Sequence, residues 1–302
     1  MLTSVQDLGR WGLQARGVPV AGPMDEYSHR LANHLVGNPP AAAALEITLI
    51  GPELQALDDV LCAVAGATFA LTAAGAPVPL HQPFVLRSGT SLRFGPRTRG
   101  ARATLAVRGG LAVPEVFGSR ATSLIARMGP FDGRSLRAGD VLPIGDGSAT
   151  PAAGRTEAAI AGLPMPAGGA RLRVLAGPHA EMFTSAAFDT LLNGRYTITP
   201  QSNRMGYRLD GPRLAHRGAA DILSDATAIG SIQVPASGQP IVLMADRQTT
   251  GGYPKIATVI SADLPIAGQL APGDWVEFKA CTRDEARAAA RGRFGAFYGP
   301  VR

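Results

Sequence analysis

Two short apolar runs in the last third of the chain enclose a polar segment. Residues 240–245 and 256–260 are rich in Ile and Val, and such runs predict buried strands. The ten residues between them, 246–255, carry carboxylate, guanidinium, amide, hydroxyl, phenol and ammonium groups. A polar segment held at both ends by strands is typical of a functional site, although a plain surface hairpin loop fits the same pattern.

The same reasoning predicts the remaining elements. Apolar runs predict strands at 45–50, 60–71, 83–87, 171–176 and 196–199. Helices are predicted from Met24 to Gly37, over 180–192, and from a capping box at Thr282 and Glu285 to about Arg291. Asp25 lies where the first helix begins, so it has two open interpretations: a helix-start acid or a residue of the site.

One pattern occurs three times, at 86–94, 136–144 and 270–278. Each copy has an apolar residue, a glycine turn and then alternating residues, which predicts a β-hairpin entering a strand. The spacing of the copies indicates two related β-domains. We therefore predict a mainly β chain organised as follows: an N-terminal β domain (1–148), a Gly/Ala/Pro-rich linker (149–169), a C-terminal β domain (170–280), and a helix with a tail (281–302).

Composition narrows the class of protein. Hydrophobic residues make up 46% and charged residues 17% of the chain, and no apolar run reaches the ~20 residues of a membrane span. The N-terminus lacks the pattern of a secretion signal, and the two cysteines lack metal or redox spacing. We therefore expect a cytoplasmic protein, and the scattered histidines predict no metal site.

The net charge of +6 raises the question of nucleic acid. Six arginines lie between Arg87 and Arg108, but aromatic residues are only 6% of the chain and no aromatic-studded binding module accompanies the arginines. The pattern favours a solvated face, or a surface that meets an acidic partner.

The polar segment supplies the first candidate residues. The chain has only two lysines, Lys255 and Lys279, against 27 arginines, so a lysine here indicates a need for a compact ammonium. We predict Asp246, Gln248 and Lys255 as catalytic residues, because three different functional groups on one loop are hard to explain as packing. The candidate binding residues of this segment are Thr249, Thr250, Gly251, Gly252 and Tyr253.

A second polar cluster spans 200–208. Its candidate substrate-binding residues are Gln201, Ser202, Asn203, Arg204, Met205 and Tyr207, to which we add Gln233 and Asp25. Alternatives stay open for several of them. Residues 201–203 could cap a turn, Arg204 and Arg247 could form surface ion pairs, and Met205 could fill the core.

Long segments of the chain match a known family. They are SVQDLGRWGLQARGVPVAGPMDEYSHRLANHLVGNP, ALEITLIGPEL, LAVRGGLAVPEVFGSRAT, TPQSNRMGYRLDGPRL and GSIQVPASGQPIVLMADRQTTGGYPKIATVISADLP. With these segments the chain resembles the allophanate hydrolase subunit 2 family, also called biotin-dependent carboxyltransferase-like proteins, and most of all the branch formed by the 5-oxoprolinase C subunits. The resemblance implies two cyclophilin-like β-barrel domains with a cleft between them.

The resemblance also implies a function and partners. A hetero-oligomer with an allophanate hydrolase subunit 1-like companion (the 5-oxoprolinase B subunit) and with the 5-oxoprolinase A subunit would open 5-oxo-L-proline to L-glutamate at the expense of ATP. Lys255 and Arg204 would supply positive charge, Gly251 and Gly252 backbone donors, and Asp246 a base. Because the chain has no Walker motif, ATP could be bound mainly by a companion.

Two alternatives to this function stay open. A urea carboxylase-like carboxyltransferase would pass CO2 from carboxybiotin to a nitrogen acceptor, with Ser202, Asn203, Gln233 and Gln248 around the ureido group. The chain has no biotin-carrier motif, so biotin would not be covalently attached to it. A non-catalytic subunit that regulates its companion is the second alternative.

Overall fold

Two compact units make up the protein. The structure, a computed structural model, describes residues 2–147 and 162–298. One unit comprises Met1–Arg10 with Ala21–Met165, and the other Trp11–Val20 with Pro166–Arg302. Most of the predicted linker, residues 149–161, lies outside the described residues.

The first unit is built on an antiparallel seven-stranded sheet. Its elements are β1 (Leu2–Gln6), α1 (Glu26–Leu35), β2 (Ala44–Thr48), β3 (Glu53–Gln55), β4 (Val60–Ala73), β5 (Ala76–Pro77), β6 (Pro83–Leu86), β7 (Ser91–Val107) and the short α2 (Pro130–Gly133). The strand order is β1-β2-β7-β4-β5, with β3 paired to β7 and β6 to β4. Buried side chains from β2, β4 and β7, such as Ile47, Val64 and Leu105, form the core of this unit because β-branched and apolar residues pack well on a pleated surface.

The second unit contains a closed barrel. Its strands are β8 (Gly169–Ala176), β9 (Arg195–Ile198), β10 (Gly206–Asp210), β11 (Asp225–Ala226), β12 (Ser231–Gln233), β13 (Ile241–Leu243), β14 (Thr250–Gly251), β15 (Lys255–Val259) and β16 (Trp275–Ala280). The barrel order is β10-β13-β12-β15-β8-β16-β9, and β11 pairs with β14 as a separate two-stranded ribbon. Its helices are α3 (Ser185–Asn193), α4 (Leu264–Gly268) and α5 (Arg283–Tyr298). The mainly β architecture agrees with the sequence-based prediction.

The strands that flank the polar segment 246–255 are not a hairpin. β13 and β15 both pair with β12, which lies between them in the barrel. The hairpin interpretation of this segment is therefore wrong, because the segment connects two strands that both run antiparallel to β12 and has to cross from the Ser231 end of β12 to its Gln233 end. That route brings its side chains to Gln233, the last residue of β12.

The glycine turns of the threefold pattern are present in the structure, but the hairpins predicted from it are not. Gly89, Gly139 and Gly273 all have positive φ, at 75°, 89° and 92°, where a glycine costs least. However, β6 and β7 on either side of Gly89 pair with other strands. Within residues 136–144, only Ile144 makes a bridge, to Leu111, so the strand predicted there is wrong.

Two helix predictions need correction at their ends. The helix predicted over 180–192 is split into a 3-10 turn, Ala180–Met182, and α3. The split occurs because Phe183 is extended and the hydroxyl of Thr184 caps α3 at Ala187 N. The capping box of α5 is confirmed, since Thr282 N donates to Glu285 (2.7 Å) and Glu285 N to Thr282 Oγ1 (3.2 Å), but the helix continues beyond the predicted Arg291. Among the described residues, no helix has the length and apolar character to cross a membrane.

Candidate functional site

The two predicted polar segments run side by side in the second unit. Asp246 N donates to Arg204 O and Met244 N to Met205 O, both at 2.8 Å. The side chains of Arg204 and Asp246 then meet in a two-point ion pair, with Nε to Oδ2 and Nη2 to Oδ1 each 3.1 Å. The structure therefore brings together two segments that are about 40 residues apart in the sequence.

This ion pair is buried. The side chains of Arg204 and Asp246 are 5% and 1% exposed. A buried carboxylate whose two oxygens both accept from a guanidinium is held in one orientation. The geometry therefore supports a positioning role for Asp246, and the interpretation of Arg204 as a surface ion-pair residue does not fit its burial. The proposed base role of Asp246 stays a prediction.

The carboxamides of Gln248 and Gln233 form a hydrogen-bonded pair, and Gln248 follows Asp246 of the ion pair by two residues in the sequence. Gln248 Nε2 donates to Gln233 Oε1 (3.2 Å), and Gln233 Nε2 donates to Tyr253 O (3.4 Å). Gln233 is buried and is anchored in the barrel by β12, whereas Gln248 is half-buried. A Cβ on Gly251 would lie 2.6 Å from Gln233 Nε2, so any larger residue there would force the Gln233 amide to shift.

The ribbon of β11 and β14 covers this amide pair. Asp225 pairs with Gly251 and Ala226 with Thr250. Thr227 extends the contact, because its N donates to Thr249 O (3.1 Å) and its hydroxyl donates to Gln248 O. The ribbon thus fixes the backbone from Gln248 onward by hydrogen bonds to a segment that precedes it by some twenty residues.

Lys255 lies at the base of the ribbon. Its side chain is only 2% exposed, and its Nζ donates to Asp225 Oδ2 (2.5 Å) and to Ala226 O (2.8 Å). The ammonium lowers the pKa of the Asp225 carboxyl from its ordinary value by hydrogen bonding to the charged form. Lys255 is therefore an internal cation that holds the ribbon to β15.

A histidine adjoins this ion pair. His179 Nε2 lies 4.0 Å from Asp225 Oδ2, and Lys255 N donates to His179 Nδ1 at 3.4 Å. The backbone N of His179 in turn donates to Lys255 O (3.2 Å). Asp225 is thus bordered by an ammonium and an imidazole, both anchored on barrel elements.

Other predicted site residues have different surroundings. Gln201 and Arg208 line an open groove of about 340 Å³ with Gln239. Asn203 Oδ1 accepts from Met205 N (2.8 Å), which is the turn-capping interpretation of the 201–203 segment at Asn203. Tyr207 is buried and donates its hydroxyl hydrogen to Leu270 O (3.2 Å).

Five further candidates complete the set. Ser202 is a turn residue whose Oγ accepts from Arg208 N (3.0 Å). Thr249 and Gly252 accept ribbon hydrogen bonds through their carbonyls, and Tyr253 has an exposed side chain. Asp25 belongs to the first unit and caps α1: Oδ1 accepts from Ser28 N (2.9 Å) and Oδ2 from Ser28 Oγ (2.6 Å). The helix-start interpretation of Asp25 is therefore confirmed, and its site role stays a prediction.

Sequence reasoning missed three residues that shape the site. Asp225, Thr227 and His179 bind Lys255 or Gln248, yet each lies in a stretch with no apolar period or motif that marks it. The one feature of the sequence that points to any of them is Lys255, because a lysine on a buried strand needs a carboxylate partner. Which of the 23 acidic residues supplies it depends on the fold.

Two arginines of the arginine-rich stretch 87–108 form solvent-exposed ion pairs. Arg87 binds Asp59 at 2.6 Å and Arg93 binds Glu53 at 3.1 Å, and all four side chains are more than half exposed. Arg102, in contrast, is buried. This agrees with the solvated-face interpretation for Arg87 and Arg93.

Comparison with known proteins places this geometry in context. The chain is 39% identical over 296 residues to the 5-oxoprolinase C subunit of Escherichia coli (strain K12), a match that covers 96% of this chain and 91% of that protein. It is 32% identical over 302 residues to urea amidolyase of Saccharomyces cerevisiae, covering 95% of this chain but 16% of that protein.

A solved structure shows the same fold. The crystal structure of the K. lactis urea amidolyase superposes with a TM-score of 0.89 at 32% identity, over 98% of this chain and 19% of that one. The family model described as carboxyltransferase domain, subdomain A and B, matches residues 16–280, which include the ribbon, the amide pair and the buried ion pair. This chain therefore belongs to the carboxyltransferase domain (subdomain A and B) family.

Proposed function

We propose that this chain is the C subunit of a multi-subunit 5-oxoprolinase, which opens the lactam of 5-oxo-L-proline to L-glutamate in an ATP-dependent reaction. The observation that carries the proposal is the 39% identity to a 5-oxoprolinase C subunit across nearly the whole of both chains. The name of that relative implies companion subunits, and we propose two of them: a B subunit of the allophanate hydrolase subunit 1 type, and an A subunit.

The amide pair suits a lactam chemically. A lactam presents one N–H donor and one carbonyl acceptor side by side, and a carboxamide offers the complementary pair. Gln248 uses one N–H on Gln233, which leaves its carbonyl oxygen to accept from the lactam N–H. We assign Gln248 to substrate binding and polarisation, with Gln233 holding its orientation.

The site residues of this chain do not fit a triphosphate. A nucleotide site needs several cations or backbone N–H groups that are available to phosphate oxygens. Here Lys255 is bound to Asp225 and Arg204 to Asp246, so their charges are already compensated inside the protein. We therefore propose that one of the companions binds ATP.

Reconstitution tests the proposal. The purified chain is assayed for loss of 5-oxoproline and release of phosphate, alone and with the A and B subunits. We expect turnover only in the complete mixture with ATP. Gln248→Ala should lower kcat/KM by roughly 10-fold or more, since one polarising donor or acceptor is lost. Gln55→Ala, an exposed glutamine in the other unit, is the matched control and should leave kcat/KM unchanged.

A carboxyltransferase is the second candidate, favoured by the match to urea amidolyase. In that case the amide pair would bind the ureido group of carboxybiotin. The assay for this candidate measures the transfer of a labelled carboxyl group from carboxybiotin to urea, where the first assay measures the loss of 5-oxoproline. Carboxyl transfer without lactam opening would replace the first proposal, and tight binding of the companions without any turnover would replace both with a regulatory role.

A further inference from the structure

The ion pair between Lys255 and Asp225 joins two parts of the second unit that no barrel strand pairing connects. Lys255 begins β15, a strand of the barrel, whereas Asp225 begins β11 of the separate ribbon. The ammonium also bonds to Ala226 O, so both residues of β11 are tied to the barrel through one side chain. We call Lys255 and Asp225 together the latch.

The latch is asymmetric in its burial. The Lys255 side chain is 2% exposed and the Asp225 side chain 49%. A buried ammonium without a counter-charge is strongly unfavourable, whereas a half-exposed carboxylate can be solvated by water. Loss of Asp225 therefore leaves Lys255 with an uncompensated charge, and the ammonium can regain water only if the ribbon moves away from the barrel.

Movement of the ribbon would displace the backbone at Gln248 and, with it, the side-chain carboxamide of this residue. The ribbon bonds to the segment at this residue and after it, through Thr227 to Gln248 O and Thr249 O, and through Ile222 N to Gly252 O (2.9 Å). We propose that Asp225 is a positioning residue: by binding Lys255 it keeps the β11–β14 ribbon in place and thereby orients the Gln248 carboxamide for the substrate. This rests on the proposed function in so far as Gln248 binds the reacting amide.

The charged surroundings of Asp225 fit this role. From β15 it faces Lys255, and from the turn before the 3-10 helix it faces His179, whose Nε2 is 4.0 Å away. The backbone N of Ala226 also donates to Asp225 Oδ1 (2.7 Å). These contacts therefore favour the charged form of the carboxylate, and those with Lys255 and His179 lie on its barrel side.

Hydrogen exchange on the isolated chain tests the latch without any companion. In Asp225→Ala and Lys255→Met, we expect the amides of the ribbon (222–227 and 249–252) to exchange at least about 10-fold faster. The amides of barrel strands β13 and β10 should not change. Asp221→Asn removes the same charge four residues away, and Lys279→Met removes the other lysine of the chain; both controls should exchange like the native protein.

The milder variant Asp225→Asn guards against misfolding, because its amide oxygen still accepts from Lys255. It should give an exchange rate between those of the native protein and Asp225→Ala. Unchanged ribbon protection in folded Asp225→Asn and Asp225→Ala would overturn the latch.

Steady-state kinetics of the reconstituted enzyme test the positioning role. Asp225→Ala should lower kcat by about 10-fold or more with a smaller change in KM, and Asp225→Glu should recover part of kcat. Native activity in an Asp225→Ala enzyme whose ribbon exchanges faster would overturn the positioning role. If the native mixture itself does not open 5-oxoproline, the proposed function fails, and the exchange result still decides on the latch.

Discussion

At the scale of single residues, the Arg204–Asp246 pair joins the two polar segments of the site by a buried ion pair. Arg204→Met leaves the buried Asp246 carboxylate without the guanidinium that binds it. We expect a loss of about 3–5 kcal/mol in the free energy of unfolding, because this carboxylate is only 1% exposed and cannot reach water. Urea unfolding of the variant measures the loss.

The exposed pair of Arg93 and Glu53 is the matched control. Its side chains are 67% and 52% exposed, so Glu53→Gln should cost at most about 1 kcal/mol. The double variant Arg204→Met/Asp246→Leu should be more stable than Arg204→Met alone, because the carboxylate that lost its guanidinium is also removed. Additive losses in the double variant would show that the two charges are not coupled.

The same scale shows what a sequence reveals about a site and what it hides. Lys255 could be singled out because the chain uses arginine almost everywhere else. Its partner Asp225 could not, because the two residues are 30 positions apart and meet only after the ribbon forms. The Arg204–Asp246 pair was predicted as neighbours in one site, but its burial depends on how β10 and β13 pair.

At the scale of elements, Asp25 allows its two interpretations to be separated. Asp25 caps α1 through Ser28 N, and serine is also a good N-cap. Asp25→Ala should cost about 1–2 kcal/mol in the free energy of unfolding, and Asp25→Ser much less. Thermal or urea unfolding of the two variants measures this difference.

Activity of the same variants decides on the site role. If Asp25 only caps the helix, the reconstituted enzyme with Asp25→Ser should have native kcat/KM. A large loss of kcat/KM in the stable Asp25→Ser variant would instead assign the carboxylate to the substrate.

Elements were predicted well wherever local pattern decides them. The apolar run 60–71 became β4, and the capping box at Thr282 began α5. Pairing partners were predicted poorly, because strand order in the barrel is set by contacts far apart in sequence. β12 is only three residues long and separates β13 from β15, and no local feature of the sequence predicts that it lies between them.

At the scale of the whole molecule, the division into units was not visible in composition alone. Residues 11–20 belong to the second unit although the first unit begins before them. Their glycines and prolines predict irregular structure but not membership of a distant unit. A composition shift can mark a linker such as 149–169, but it cannot show that a chain leaves its own unit and returns.

A buried histidine makes the stability of the molecule depend on pH. The pKa of His29 is lowered to about 4, mainly by burial; Asp7 opposes the lowering and Arg30 contributes to it. Asn33 Nδ2 lies 3.2 Å from His29 Nε2, so the neutral ring can accept a hydrogen bond that a protonated ring could not. The folded state therefore requires neutral His29.

The sign of the effect follows from the two states. The unfolded chain binds a proton on this histidine near pH 6.5, whereas the folded chain binds it only near pH 4. Stability should therefore fall as pH drops below about 6.5 and stop falling from this cause near pH 4. Between pH 7 and 5, His29 should account for a loss of about 2 kcal/mol in the free energy of unfolding.

Urea unfolding at pH 7 and pH 5 checks the prediction. In His29→Gln, which is neutral at both pH values, the loss between the two pH values should shrink by about 2 kcal/mol relative to the native protein. His34→Gln, at the end of the same helix and less buried, is the control and should keep most of the native pH dependence. If His29→Gln folds and keeps the full native loss, protonation of His29 is not what destabilises the molecule in acid, and the carboxylates bound to arginine would have to account for it instead.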